Sequence, residues 1–200
     1  MNTYHFITRW IVEATCEEVY RILEDVDSLA DWWPSVYLDV HILEKGKPGG
    51  VGKVVELYTK GWLPYTLRWK FRVTDTHFPT GFSLQAFGDF IGAGIWTFRT
   101  TDTGQCEVIY DWQIQANKPL LKILTPILRP LFSLNHHWAM RMGERSLRLE
   151  ISRRKAKTDA ERAAVPSPPG PTFPHNLTNN KILDHDYHTK QRKSEVKSWF

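Results

Sequence analysis

Cysteine is nearly absent: the 200 residues hold two, Cys16 and Cys106. Neither has a second Cys or a His at ligand spacing, so a disulfide framework is excluded and no metal site is expected. Two unpaired thiols suit a reducing compartment, and a cytoplasmic location is the expectation. Long apolar runs are missing as well. The greasiest stretch, Leu120 to Leu134, is broken by Lys122, Pro126, Arg129 and Pro130, short of the about 18 apolar residues a membrane-spanning helix needs. The opening MNTYHFITRWIVEA carries Arg9 and Glu13 inside its apolar stretch, unlike a secretory signal. Charge of one sign is not in excess either: 26 Lys and Arg face 22 Asp and Glu, a net +4. So small and scattered a surplus speaks against a nucleic-acid partner. No Ser-His-Asp order, HExxH, GxGxxG or P-loop occurs, and no cofactor is expected.

What is abundant is aromatic. Nine tryptophans occur, clustered between Trp10 and Trp138 apart from Trp199. With 42% apolar residues the chain can build one domain with a substantial core. It divides once, near residue 154. From Lys155 onward aromatic and β-branched content collapses, and Pro166-Ser167-Pro168-Pro169-Gly170-Pro171 reads as a linker. The segment 155–200 carries eight Lys/Arg against five Asp/Glu. It is expected to be a mildly basic, disordered tail, either a docking arm or a solvated appendage.

Residues 1–154 read as strand, two short helices, a meander of strands and a long helix. Phe6 to Val12 alternates. Thr15 is placed to cap a helix with Glu17 and Glu18 in its first turn, and Asp27 to cap a second that stops before Pro34. Val36 to Ile42, Lys53 to Thr59, Tyr65 to Val73, Phe82 to Ala86, Ile95 to Thr100 and Cys106 to Gln115 read as strands. In the fourth strand Leu67, Trp69, Phe71 and Val73 oppose Arg68, Lys70 and Arg72. The apolar set is expected inward, because three unpaired cations are costly to bury. After Pro119, with interruptions at Pro126 and Pro130, a helix is predicted from Leu131 to Ser152. Its stripe is Leu131, Leu134, Trp138, Met142 and Leu149. Hairpin-length connections make the sheet antiparallel with one buried face, and the long helix is its natural cover.

That order of elements resembles the helix-grip fold. The runs Trp10-Ile11-Val12-Glu13-Ala14, Glu18-Val19-Tyr20 and Asp31-Trp32-Trp33-Pro34-Ser35-Val36 resemble the opening of the START/Bet v 1-like superfamily. Within it, they resemble in particular the bacterial members called polyketide cyclase/dehydrase or lipid-transport-like. Gly88-Asp89-Phe90-Ile91-Gly92-Ala93-Gly94-Ile95-Trp96 and Asn135-His136-His137-Trp138-Ala139-Met140 look like the same subfamily. The resemblance covers residues 1–154. It implies an α+β fold: a curved antiparallel sheet of about seven strands around a long C-terminal helix, with two short helices after the first strand.

It also implies an apolar cavity between sheet and helix, and a small hydrophobic ligand (a lipid, quinone or polyketide-like compound) as the partner. Its expected lining is Tyr58, Leu67, Trp69, Phe71, Phe82, Leu84, Tyr110 and Trp112 from the sheet, with Trp138 and Met142 from the helix and Trp33 at the rim. Trp62 and Leu63, in a loop loosely resembling the gate of plant hormone receptors of the superfamily, would stand at the mouth. The same side chains suit a packed core equally. Glu56, sharing a face with Val54 and Tyr58, reads either as a solvated or edge residue or as the one candidate for proton transfer, should the protein be a cyclase or dehydrase rather than a binder. Asn135 is a candidate to face the cavity, and at most one of His136 and His137 can look inward. A contact with a membrane surface through Leu120 to Leu134 and the basic tail is a further reading.

Overall fold

The computed structural model describes residues 3–116 and 119–177. Seven strands form one antiparallel sheet: β1 (Thr3–Val12), β2 (Tyr37–Glu44), β3 (Val54–Lys60), β4 (Thr66–His77), β5 (Gly81–Gly88), β6 (Phe90–Thr100) and β7 (Cys106–Ala116). Their order is β1-β7-β6-β5-β4-β3-β2, so β1 and β2 are the edges. Between them in sequence lie α1 (Cys16–Glu24), a 3-10 turn (Val26–Ser28) and α2 (Leu29–Trp32). A single long helix, α3 (Pro119–Lys155), follows β7. This is the α+β helix-grip arrangement. No helix among the described residues is long and apolar enough to cross a membrane.

Local signals account for the first helix. The Thr15 hydroxyl accepts from the Glu18 amide at 3.2 Å, and the Glu18 carboxylate accepts from the Thr15 amide at 2.7 Å, a reciprocal cap. Asp27 makes no cap; it lies inside the 3-10 turn, and α2 is a single turn. In β4, Leu67, Trp69, Phe71 and Val73 are buried. Arg68, Lys70 and Arg72 turn outward, where Lys70 pairs with Glu56 and Arg72 with Glu44.

Three parts depart from the sequence reading. β3 faces the other way, with Val55, Leu57 and Thr59 against the core. Apolar residues at Val54, Val55 and Leu57 fall on both faces of this strand, so alternation alone cannot choose between them. α3 continues through Pro126 and Pro130, which stand one turn apart and so leave their missing amides on one face. Its buried face is Asn135, Met140, Gly143, Ser146, Leu147 and Ile151, whereas Leu134 is 60% exposed. Trp10 and Trp112 of the sheet and Trp33 just after α2 already crowd the facing surface, so the closest approach of the helix is made by small residues. At Gly143 a Cβ would run into the Trp33 ring.

The third departure is the segment after 154. Thr158 caps a short helix, α4 (Asp159–Ala164), and the chain then returns to the domain. Lys60 Nζ donates to the Thr172 carbonyl at 2.8 Å, the Thr172 hydroxyl at 2.8 Å and the Phe173 carbonyl at 2.9 Å. The Thr172 hydroxyl lies within hydrogen-bond distance of the Gly61 and Trp62 carbonyls. Covered this way, Lys60 is only 2% exposed. The basic stretch from residue 178 onward, and the side chains of the apolar run up to residue 128, lie outside the described residues.

Candidate functional site

Between the sheet and α3 lies a cavity of about 140 Å³. Leu67, Trp69, Tyr110, Trp112 and Ile114 form its sheet wall, and Phe132, Asn135, His136, Ala139 and Met140 its helix wall. Tyr4 and Phe6 close one end, because β1 pairs with β7 at the sheet edge beside α3. A second, smaller cavity of about 70 Å³ sits under α1 and α2, walled by Phe71, Phe82 and Leu84 among others. Trp33, Tyr37, Trp69 and Tyr110 belong to both walls and separate the two.

Sequence-predicted residues divide accordingly. Trp33, Leu67, Trp69, Tyr110 and Trp112 line the first cavity, and Phe71, Phe82 and Leu84 the second. Trp33 is not at the rim but 2% exposed, at the junction of the two. Six residues lie elsewhere. Tyr58 is on the outer face of β3 with Arg68 over its ring at 4.5 Å. Trp62 is 40% exposed, and neither it nor Leu63 lines the cavity. Trp138 and Met142 follow the rotation of α3 and leave the wall to Ala139 and Met140. Glu56 shares the outer face of β3 and pairs with Lys70 at 3.1 Å. It has no access to the cavity, and its candidacy for proton transfer falls with the strand register. Tyr4, Phe6, Tyr37, Phe132 and Ala139 are not legible as wall residues in the sequence, since each sits at an edge or on a helix face whose phase the heavier Leu and Trp residues mask.

The loop after β3 borders the cavity at Gly61 and Tyr65. At Gly61 a Cβ would run into the Asn135 amide, so glycine lets the backbone lie flat on that side chain. Asn135 Oδ1 accepts from the Leu63 amide at 3.1 Å, tying the loop to α3. Tyr65 meets Phe132 edge-on at 6.1 Å.

Lys60 also lines the cavity, and burial lowers its ammonium from the ordinary lysine range. Burial raises the Tyr37 and Tyr110 phenols well above their ordinary range and pushes Tyr65 up to about 12, the neighbouring Tyr4 adding to it. Burial, with His137 beside it, lowers His136 to about 4. Its ring stacks on Phe6 at 4.0 Å. His136 Nε2, the Tyr4 hydroxyl and Trp33 Nε1 are sealed from solvent without a hydrogen-bond partner among the described residues. Among those residues no group of three His, Cys, Asp or Glu is placed to hold a metal ion.

The depressed imidazole sets a pH dependence. An unfolded chain protonates His136 near 6.5, the folded protein only near 4. Stability from this residue is therefore fully present above about pH 6.5 and falls as pH drops toward 4, because the unfolded state takes up the proton first. His136→Phe keeps the stack on Phe6 and is expected to flatten that slope while holding or raising stability at pH 7. Urea unfolding of both proteins across pH 4–7 checks this, and equal slopes would contradict it.

Comparison with known proteins agrees with this geometry. The family profile described as polyketide cyclase / dehydrase and lipid transport matches residues 12–137. The Zhui aromatase/cyclase of Streptomyces sp. R1128 superposes with a TM-score of 0.64 at 18% identity, over 78% of this chain and 97% of its own. A protein of Thermus thermophilus gives 0.61 at 15% identity, over 76% and 100%. The di-domain aromatase/cyclase BexL of the BE-7585A biosynthetic pathway gives 0.61 at 13%, over 78% and 52%. At these identities the likeness speaks for the fold. No curated protein matches the sequence significantly.

Proposed function

The chain belongs to the polyketide cyclase/dehydrase and lipid transport family, and from that membership we propose that it binds a small hydrophobic ligand between its sheet and α3. One observation carries the reading: the aromatic-walled cavity of about 140 Å³ in the middle of the domain. Empty apolar space this large is rare in a packed core, and a cavity of about 150 Å³ takes a benzene ring. Volume therefore favours a ligand with one ring, or one short branch of a lipid, quinone or polyketide-like molecule, in this space. Charge selects too. Lys60 is the charged residue among those lining the cavity, and its ammonium is already taken up by the Thr172 carbonyl and hydroxyl and the Phe173 carbonyl. An uncharged ligand leaves no buried charge unpaired.

The alternative, cyclisation or dehydration of such a ligand, draws on the aromatase/cyclase neighbours. It needs a proton-transfer group in the cavity. His136 is the residue whose position permits the role, but an imidazole lowered to about 4 is a weak base at neutral pH, and the catalytic optimum lies near the working pH. Binding without turnover is the better supported reading. It is tested by organic extraction of the purified protein with mass spectrometry of what co-purifies, and by calorimetric titration with phenol. Saturable one-to-one binding of phenol is expected, unchanged within about two-fold in Glu56→Gln because Glu56 stands outside the cavity. Turnover of the co-purified compound that vanishes in Glu56→Gln would overturn both the placement and the binder reading.

A further inference from the structure

Two cavities that share four wall residues raise the question of what keeps them apart. Three of the four are fixed. Tyr110 stands in β7, inside the sheet, and its ring is stacked on Trp96 at 3.9 Å and beside Trp112 at 5.5 Å. Trp69 Nε1 donates to Thr59 Oγ1 at 3.0 Å. Trp33 is clamped between Trp10, Trp32 and the bare backbone at Gly143. The fourth, Tyr37, is held differently. It is the first residue of the edge strand β2, next to a break in register between Tyr37 and Asp39. Its ring contact with the fixed set is edge-on to Trp33 at 5.1 Å. An edge strand with an irregular ladder yields more readily than strands paired on both sides.

Resting on the binding reading above, we infer that the two cavities are one elongated site divided by Tyr37, and that its ligand is an uncharged molecule of two linked lobes. About 140 Å³ holds one ring, and about 70 Å³ holds less than one. A second ring therefore enters only when Tyr37 turns aside. The near lobe meets Asn135 and His136 and so carries the oxygen; the far lobe meets Phe71, Phe82 and Leu84 and is plain hydrocarbon. Lys53 and Glu24, both half-buried, also border the second cavity, with Lys53 Nζ donating to the Glu24 carbonyl at 3.4 Å.

The probes are phenol and 4-phenylphenol, added to the full chain labelled with 5-fluorotryptophan and followed by ¹⁹F NMR. Trp112 lines the first cavity and Trp96 the second, and both signals are assigned by Trp→Phe substitution. Phenol is expected to shift Trp112 most. 4-Phenylphenol is expected to shift Trp96 as strongly as Trp112 and to bind at least ten-fold tighter. Tyr37→Ala should tighten 4-phenylphenol further, and by a larger factor than it changes phenol, whose space Tyr37 also borders. If 4-phenylphenol moves Trp112 alone and binds no tighter than phenol, the cavities are separate and this inference fails while the binding reading stands. If neither probe moves either signal, the binding reading itself fails, and this inference with it.

Discussion

Replacing Trp33 by alanine is expected to cost about 3–5 kcal/mol of folding stability, the range for deleting a large ring from a packed core. The residue is 2% exposed and touches four parts of the fold. Its ring lies 5.8 Å from Trp10 of β1, 5.4 Å from Trp32 of α2 and 5.1 Å from Tyr37 of β2, and it covers Gly143 of α3. Its indole nitrogen has no hydrogen-bond partner among the described residues, so the loss is one of packing and apolar burial. A domain's whole stability is about 5–15 kcal/mol, and the variant should stand close to unfolding. Urea denaturation measures it, with Trp33→Phe as the milder control. A loss under about 1 kcal/mol would show that the ring is not what joins the early helices to α3.

The second large effect is on affinity. Ala139→Phe adds a ring inside a space that holds one ring, and phenol binding is expected to fall at least 100-fold. Stability should hold or rise, because an apolar side chain fills an existing void instead of overpacking a full one. Leu134→Phe, on the exposed face of the same helix, should leave phenol binding unchanged. Calorimetric titration of the two variants side by side separates filling of the cavity from a general effect on α3. Equal binding in both would remove the cavity from the account.

How far the sequence can be read depends on whether two signals agree at each element. In β4 they do: cations at Arg68, Lys70 and Arg72 oppose aromatics and aliphatics, and burial cost admits one register. Thr15 and Glu18 likewise announce α1 through a local bond pattern. β3 offers no such contrast, which is why alternation puts Glu56 and Tyr58 in the cavity when they stand outside it. In α3 the bulkiest residues suggest the buried stripe. The partner surface, already crowded by Trp10, Trp33 and Trp112, instead selects Ala139, Gly143 and Ser146. β6 begins earlier than its apolar run, at Phe90, because Gly92 and Gly94 sit in the strand where side chains have no room; a Cβ at Gly94 would lie 2.8 Å from the Tyr110 hydroxyl and 2.9 Å from Trp112. The return of Thr172 to Lys60 links residues more than a hundred positions apart, and a Pro-rich composition carries no trace of it. The fold is therefore legible from local patterns and family motifs, while the cavity wall depends on the phase of two elements that only packing decides.

Intermolecular NOEs between bound phenol and methyl-labelled protein test the central claim most directly. Phenol in the cavity is predicted to show contacts to the methyl groups of Ala139, Met140 and Leu67, which line it from helix and sheet. NOEs to Ile7 or Ile95 on the exposed outer face of the sheet instead, or none at saturating phenol, would contradict a ligand site between the sheet and α3.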